Sequence, residues 1–124
     1  MSTDTTRKHP FLDDLAPDAQ LTGSLLRRPI CGRDNIRRAV QTVGTLYASQ
    51  TPLFFGVVDG RGFLQYEAVL HNGRKVQAVV VIERDDAGLV QRVSVTLGPI
   101  DALLSLAGRL GPLLENELGA DLFL

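Results

Sequence analysis

The pair Asn72-Gly73 constrains this chain more than any other feature. It stands between two β-rich runs, residues 63–70 and 76–82. Asn-Gly in that setting is the strongest short-range signal for a β-hairpin, because both residues tolerate the positive φ of a tight turn. A two-residue loop pairs His71 with Arg74. It then sets Val69 against Val76, Glu67 against Ala78, Gln65 against Val80 and Phe63 against Ile82, all on one face. A longer loop slips the register by one residue and sends Glu67 to the opposite face. In the two-residue register a carboxylate sits on an apolar face opposite a small alanine, which implies a space in front of it. A carboxylate in an apolar concavity is a functional group or a costly exception. On an open sheet face, or beside an arginine, it is an ordinary surface charge.

Two further turn signals, Asp59-Gly60 and Asp85-Asp86-Ala87-Gly88, extend the hairpin into a four-stranded antiparallel meander over 53–58, 61–71, 74–84 and 89–97. Upstream, Pro10 at a helix start and Phe11, Leu12 and Leu15 predict a helix of one or two turns ending near Pro17. Residues 19–23 read as a short strand and 25–31 as a loop. After Gly32, Ile36, Ala39, Val40, Val43, Leu46 and Tyr47 recur at helical spacing, with Pro52 marking the far boundary. Pro99 and Asp101 open a final helix over 102–110, restarted at Pro112. The strands are apolar on both faces, as in Ala78-Val79-Val80-Val81-Ile82, so both faces of the sheet should be covered. Helices cover one. A second subunit or the leucine-rich C-terminal tail covers the other.

A chain of 124 residues with 44% hydrophobic and 22% charged residues forms one domain with a real core. Residues 1–9 are polar and read as a flexible terminus ahead of a single α+β domain over 10–124. The net charge of −1 gives no pull toward nucleic acid or membrane. Arg27, Arg28, Arg33, Arg37 and Arg38 form a local basic cluster that reads as a solvated surface. The lone Cys31 and the distant His9 and His71 show no metal-ligand spacing, so no metal or other cofactor is expected. One cysteine, no signal peptide and no membrane span fit a cytoplasmic protein. The expected partners are a hydrophobic small molecule and a second copy of the chain.

Asp13-Asp14-Leu15-Ala16-Pro17-Asp18-Ala19-Gln20-Leu21, then Pro29-Ile30-Cys31-Gly32-Arg33-Asp34-Asn35-Ile36-Arg37, resemble the SnoaL-like branch of the nuclear-transport-factor-like superfamily. The order of elements and the exit Thr96-Leu97-Gly98-Pro99 into a terminal helix agree, and the likeness spans roughly 11–105. The resemblance implies a cystatin-like α+β cone. A curved antiparallel sheet wraps around helices, encloses an apolar pocket and often dimerises across its outer face. The family's first long helix has almost no room here, and the leucine-rich C-terminal helical tail is the candidate to replace it. That tail carries Leu103, Leu104, Leu106, Leu110, Leu113 and Leu114, too many to leave in water. They cap the cone or form a subunit interface.

The ketosteroid isomerases of this superfamily place a general-base aspartate just after the first strand and a neutral aspartic acid on the third strand of the meander. Gly23 and Val80 stand at those positions here, and the tyrosine of the first helix has no counterpart. That mechanism is therefore rejected. The related epoxide hydrolases need two aspartates and an arginine. The pocket register supplies one carboxylate, and Arg92 points away. The resemblance puts Gln65, Glu67, His71, Val69, Ala78, Val80, Val93, Val95 and Leu97 in the pocket. Phe54 joins them if Asp59-Gly60 is a two-residue turn. Glu67, desolvated and raised in pKa, becomes the candidate catalytic acid–base, with Gln65 orienting and His71 at the rim. Tyr66 is expected on the outer face at a dimer interface. Tyr47 is expected in the core, or with its hydroxyl reaching the pocket. Two functional classes follow. One is a cofactor-independent acid–base isomerase, hydrolase or cyclase acting on a hydrophobic carbonyl, polyketide or steroid-like substrate. The other is a non-catalytic ligand-binding or dimerisation module.

Overall fold

The computed structural model describes His9 and residues 11–124. The rest of the expected flexible terminus and the Pro10 helix start lie outside the described residues. A 3-10 turn, Leu12–Asp14, leads directly into strand β1, Leu15–Gly23. β2 is Ile30–Cys31 and helix α1 is Arg33–Leu46. The meander follows as β3 Tyr47–Val58, β4 Arg61–Leu70, β5 Lys75–Arg84 and β6 Val90–Gly98. Helix α2, Ile100–Leu118, comes last. The strands form one sheet in the order β2-β1-β6-β5-β4-β3. Only β1 and β6 run parallel; the other neighbours are antiparallel. This is the α+β fold the sequence predicts.

Two prolines mark strand irregularities rather than helix ends. Pro17 lies inside β1, where the register against β6 shifts between Leu15 and Gln20. The expected helix over 10–17 is therefore a single turn followed by strand. Pro52 lies in β3 at a second register shift, between Pro52 and Phe54. β3 is the sheet edge, which tolerates a residue without an N–H donor. The helix over 33–46 therefore passes straight into strand at Tyr47, six residues earlier than the turn signals suggest.

The Asn72-Gly73 hairpin forms with a longer loop. The Leu70 N–H donates to the Arg74 carbonyl at 2.8 Å, and the Gly73 N–H to the Leu70 carbonyl at 2.9 Å. Gly73 has φ +87°. A turn closed by a left-handed glycine is the common three-residue hairpin loop, and it uses the same Asn-Gly letters as the two-residue one. The pairs become Tyr66–Ala78, Glu67–Gln77 and Val69–Lys75. Tyr66, Ala68 and Leu70 are buried, whereas Gln65 and Glu67 are exposed. The inner face of β5 is Val76, Ala78, Val80 and Ile82, each at most 2% exposed. Asp59-Gly60, in contrast, is the expected two-residue turn, with both residues at positive φ and Val58 opposite Arg61.

α2 runs unbroken through Pro112. Leu106, Leu110 and Leu114 continue one buried seam across the proline, and that apolar contact holds the helix together where a backbone hydrogen bond is missing. Leu103 is buried with them, while Leu104 and Leu113 face water. α2 packs against α1, β5 and β6, so most of the leucine tail serves this chain's own core. The C-terminal residues Leu122 and Phe123 are buried too, and Phe123 bridges to Leu26. The arginine cluster secures these ends. Arg27 Nε donates to the Phe123 carbonyl, Arg28 to the carbonyls of Asp121 and Ala120, and Arg37 Nε to the Leu12 carbonyl.

Candidate ligand cavity and its tyrosine pair

α1 crosses the concave side of the sheet without filling it. Besides Gln41 its cavity-facing residues are Ala39, Val40, Val43 and Gly44, small residues that leave a gap where a leucine would reach the strands. The result is a cavity of about 490 Å³, the size range of pockets that take small organic ligands. Its walls are Leu21 and Gly23 of β1, Leu64 and Tyr66 of β4, Val80 of β5, and Val95 and Leu97 of β6. His9, Phe11 and Leu12 close the N-terminal side, and Phe123 reaches it from the C-terminus. Among the described residues the lining holds no Asp, Glu, Lys or Arg; its polar side chains are His9, Gln41, Tyr47, Gln50 and Tyr66.

The two tyrosines meet inside. Tyr47 Oη and Tyr66 Oη lie 2.9 Å apart, with their rings edge to face. Tyr47 opens β3 and Tyr66 sits in the middle of β4, so neighbouring strands bring together two phenols nineteen residues apart in sequence. Burial raises both hydroxyl pKa values above the ordinary 10, and for Tyr47 the neighbouring Tyr66 adds to the rise. Both are therefore neutral phenols at physiological pH. His9 is also held neutral. Its Nδ1 accepts the backbone N–H groups of Phe11 and Leu12, both at 3.2 Å. Burial lowers its pKa against the raising pull of Asp13. The proton of the neutral ring is then on Nε2.

The structure divides the expected site residues between the two faces of the sheet. Val80, Val95 and Leu97 line the cavity, and Ala78 and Val93 are buried on the same face. Glu67, Gln65, Val69 and Phe54 are on the convex face. Phe54 does pair with Gln65, as the turn count predicts, but the one-residue slip carries both outward, and Phe54 is 56% exposed. Glu67 faces water beside Gln77 and Thr51, which removes the desolvation that would have made it an acid–base. His71 is in the loop, its Nε2 donating to the Thr45 carbonyl at 3.1 Å, and it does not line the cavity. Tyr66 is corrected in the opposite sense, from outer face to cavity wall. Gly23 and Val80, which stand where the resemblance expects carboxylates, both line the cavity. A Cβ at Gly23 would come within 3.1 Å of the Val95 carbonyl, so even a small side chain is crowded there. The expected outward direction of Arg92 agrees with its exposure and its pairing with Glu83 and Gln20. Among the described residues no cluster of three metal-ligating side chains exists, and no helix is long and apolar enough to cross a membrane.

A curved mostly antiparallel sheet with a helix across an apolar hollow defines a cone fold shared by many solved structures. An uncharacterised bacterial protein with a cystatin-like fold from Silicibacter pomeroyi superposes with TM-score 0.79 at 16% identity, covering 86% of this chain and 74% of that one. A steroid delta-isomerase from Pseudomonas aeruginosa gives TM-score 0.76 at 22% identity, over 88% and 80% of the two chains. A SnoaL-like family protein from Agrobacterium tumefaciens gives 0.56 at 9%, over 70% and 76%. Nuclear-transport-factor-like proteins of unknown function match as well. No family model matches the sequence, and no curated protein does. The chain has the nuclear-transport-factor-like, SnoaL-like fold.

Proposed function

We propose that this chain binds a small, mostly apolar molecule in the concave cavity and acts as a ligand-binding domain. The supporting observation is a hollow of about 490 Å³ whose lining, among the described residues, has no carboxylate, lysine or arginine. Such a space favours apolar surface and rejects an unpaired charge. An acid–base enzyme centred on Glu67 has no geometry here, because that carboxylate and the cavity are on opposite faces of β4. The test is thermal stabilisation by a panel of polycyclic hydrocarbons and ketones, repeated on Val43→Trp, which fills the cavity from α1. A ligand that binds only the native state raises its melting temperature. Stabilisation of the wild type that disappears in Val43→Trp supports the reading. Equal stabilisation of both proteins contradicts it.

The convex face supports a second part of the proposal, a homodimer. Phe54 and Val79 are 56% and 44% exposed there, with Gln65 between them on β4 and the Glu67–Gln77 pair alongside. Exposed aromatic and aliphatic side chains interspersed with polar ones are compatible with a protein interface, which as a whole is about as apolar as the rest of a protein surface. Sedimentation of the wild type against Phe54→Asp/Val79→Asp tests it. A dimer that becomes a monomer is the expected result, and a wild type that is monomeric at all concentrations contradicts it.

A further inference from the structure

We infer that the Tyr47–Tyr66 hydroxyl pair is the polar anchor of the cavity and selects neutral ligands bearing an acceptor oxygen, such as a ketone or lactone carbonyl on an apolar frame. This rests on the ligand-binding reading above and adds the ligand's chemical class. Two hydroxyls carry two hydrogens, and the 2.9 Å contact uses one of them. Whichever tyrosine donates, the other keeps a hydrogen, and no further hydrogen bond of either hydroxyl is recorded among the described residues. Both rings line the cavity, so the spare donor belongs to its wall. A buried donor without a partner is costly, and a ligand oxygen that accepts from it removes that cost. Donation within the pair also polarises the second O–H and strengthens what it offers.

The charge state of the ligand follows from the rest of the lining. Among the described residues of the wall, a carboxylate or phosphate would meet no Lys or Arg, and an ammonium would meet no Asp or Glu. Either would be buried unpaired. The phenols cannot compensate by ionising, since burial holds both in the neutral form. Tyr47 opens β3 and Tyr66 stands in β4, so two neighbouring strands supply the anchor.

Fluorenone and fluorene form a matched probe pair, differing in one carbonyl oxygen, and fluorene carboxylate supplies the charged control. They are titrated into the wild type and into Tyr47→Phe/Tyr66→Phe. Replacing both partners with rings of the same shape leaves no orphaned hydroxyl, so the double variant keeps its fold; its thermal melt verifies this. The wild type should bind fluorenone roughly 3- to 10-fold more tightly than fluorene, the worth of one hydrogen bond. The carbonyl stretching band of the bound ketone should move to lower frequency than in hexane. In the double variant the preference for the ketone over the hydrocarbon and the band shift should disappear, and the carboxylate should bind neither protein. Equal affinity for ketone and hydrocarbon in the wild type overturns the anchor and leaves the cavity reading standing. A ketone preference retained in the double variant, or tight carboxylate binding, overturns it as well. If neither neutral probe binds the wild type, the cavity reading itself fails, and the anchor with it.

Discussion

The two faces of β4 carry the same kinds of residue to opposite ends. On the concave face Leu64, Tyr66, Ala68 and Leu70 meet the core and the cavity; on the convex face Phe63, Gln65, Glu67 and Val69 meet Val81, Val79, Gln77 and Lys75. Each face has one group with a titratable oxygen. Tyr66 is 8% exposed and paired with Tyr47, while Glu67 is open to water. Burial, not acidity, decides which of them can act on a ligand. A carboxylate in water has little leverage, whereas a neutral phenol in an apolar wall offers a directed hydrogen bond in a medium that strengthens it.

The sharpest way to break this comparison is to move the carboxylate by one residue. Ala68→Glu places an unpaired acid on the concave face, where Ala68 is 1% exposed. It should unfold the protein or cost at least about 3 kcal/mol in urea denaturation. Leu106→Ala removes a fully buried side chain from the α2 seam and should cost roughly 2–5 kcal/mol. A much smaller loss would mean that the tail is not part of the core. Tyr66→Phe alone leaves the Tyr47 hydroxyl without its partner and should cost about 1 kcal/mol. Adding Tyr47→Phe should recover most of that, a coupling that a double-mutant cycle measures directly.

Gly73→Ala probes the loop that sets the register. Nothing stands within 4 Å of a Cβ there, and φ is +87°. The cost of roughly 1–2 kcal/mol would therefore be purely conformational. A two-residue loop would also feel this change, but only the three-residue register predicts that Glu67→Ala stays within about 0.5 kcal/mol of the wild type.

The pH response separates the faces in another way. Burial holds His9 below its ordinary 6.5, so just below that value the unfolded chain takes up a proton that the folded one does not. Stability present above pH 6.5 should fall as pH drops through the folded-state pKa of His9. His9→Gln should show a smaller loss over that window in melts from pH 7.5 to 5 (about the range in which histidine titrates).

The meander, the long amphipathic helix and the C-terminal helix are all legible in the sequence, because turn pairs and apolar periodicity are local signals. The face of β4 is legible only in part. Asn72-Gly73 serves loops of two and of three residues, and the difference of one residue reverses every side chain. A signal that favours the observed register was present. Leu64, Tyr66, Ala68 and Leu70 are the more apolar alternate set, and a buried face selects that set over one holding Gln65 and Glu67. The tyrosine pair was not legible, because the contact depends on α1 ending at Leu46 and β3 beginning at Tyr47, where Pro52 suggested a boundary further on. The closure of the cavity by Phe11 and Phe123 joins opposite ends of the chain, which no local pattern encodes.

The most direct test of the ligand site is a set of intermolecular nuclear Overhauser effects from bound fluorene to methyl-labelled protein. Val80, Val95 and Leu97 report the concave cavity. Val79 reports the convex face, one residue away from Val80 on β5 and 44% exposed. Contacts to Val80, Val95 and Leu97, with none to Val79, are the predicted result. Contacts to Val79 without Val80 would place the ligand on the other face and contradict the account.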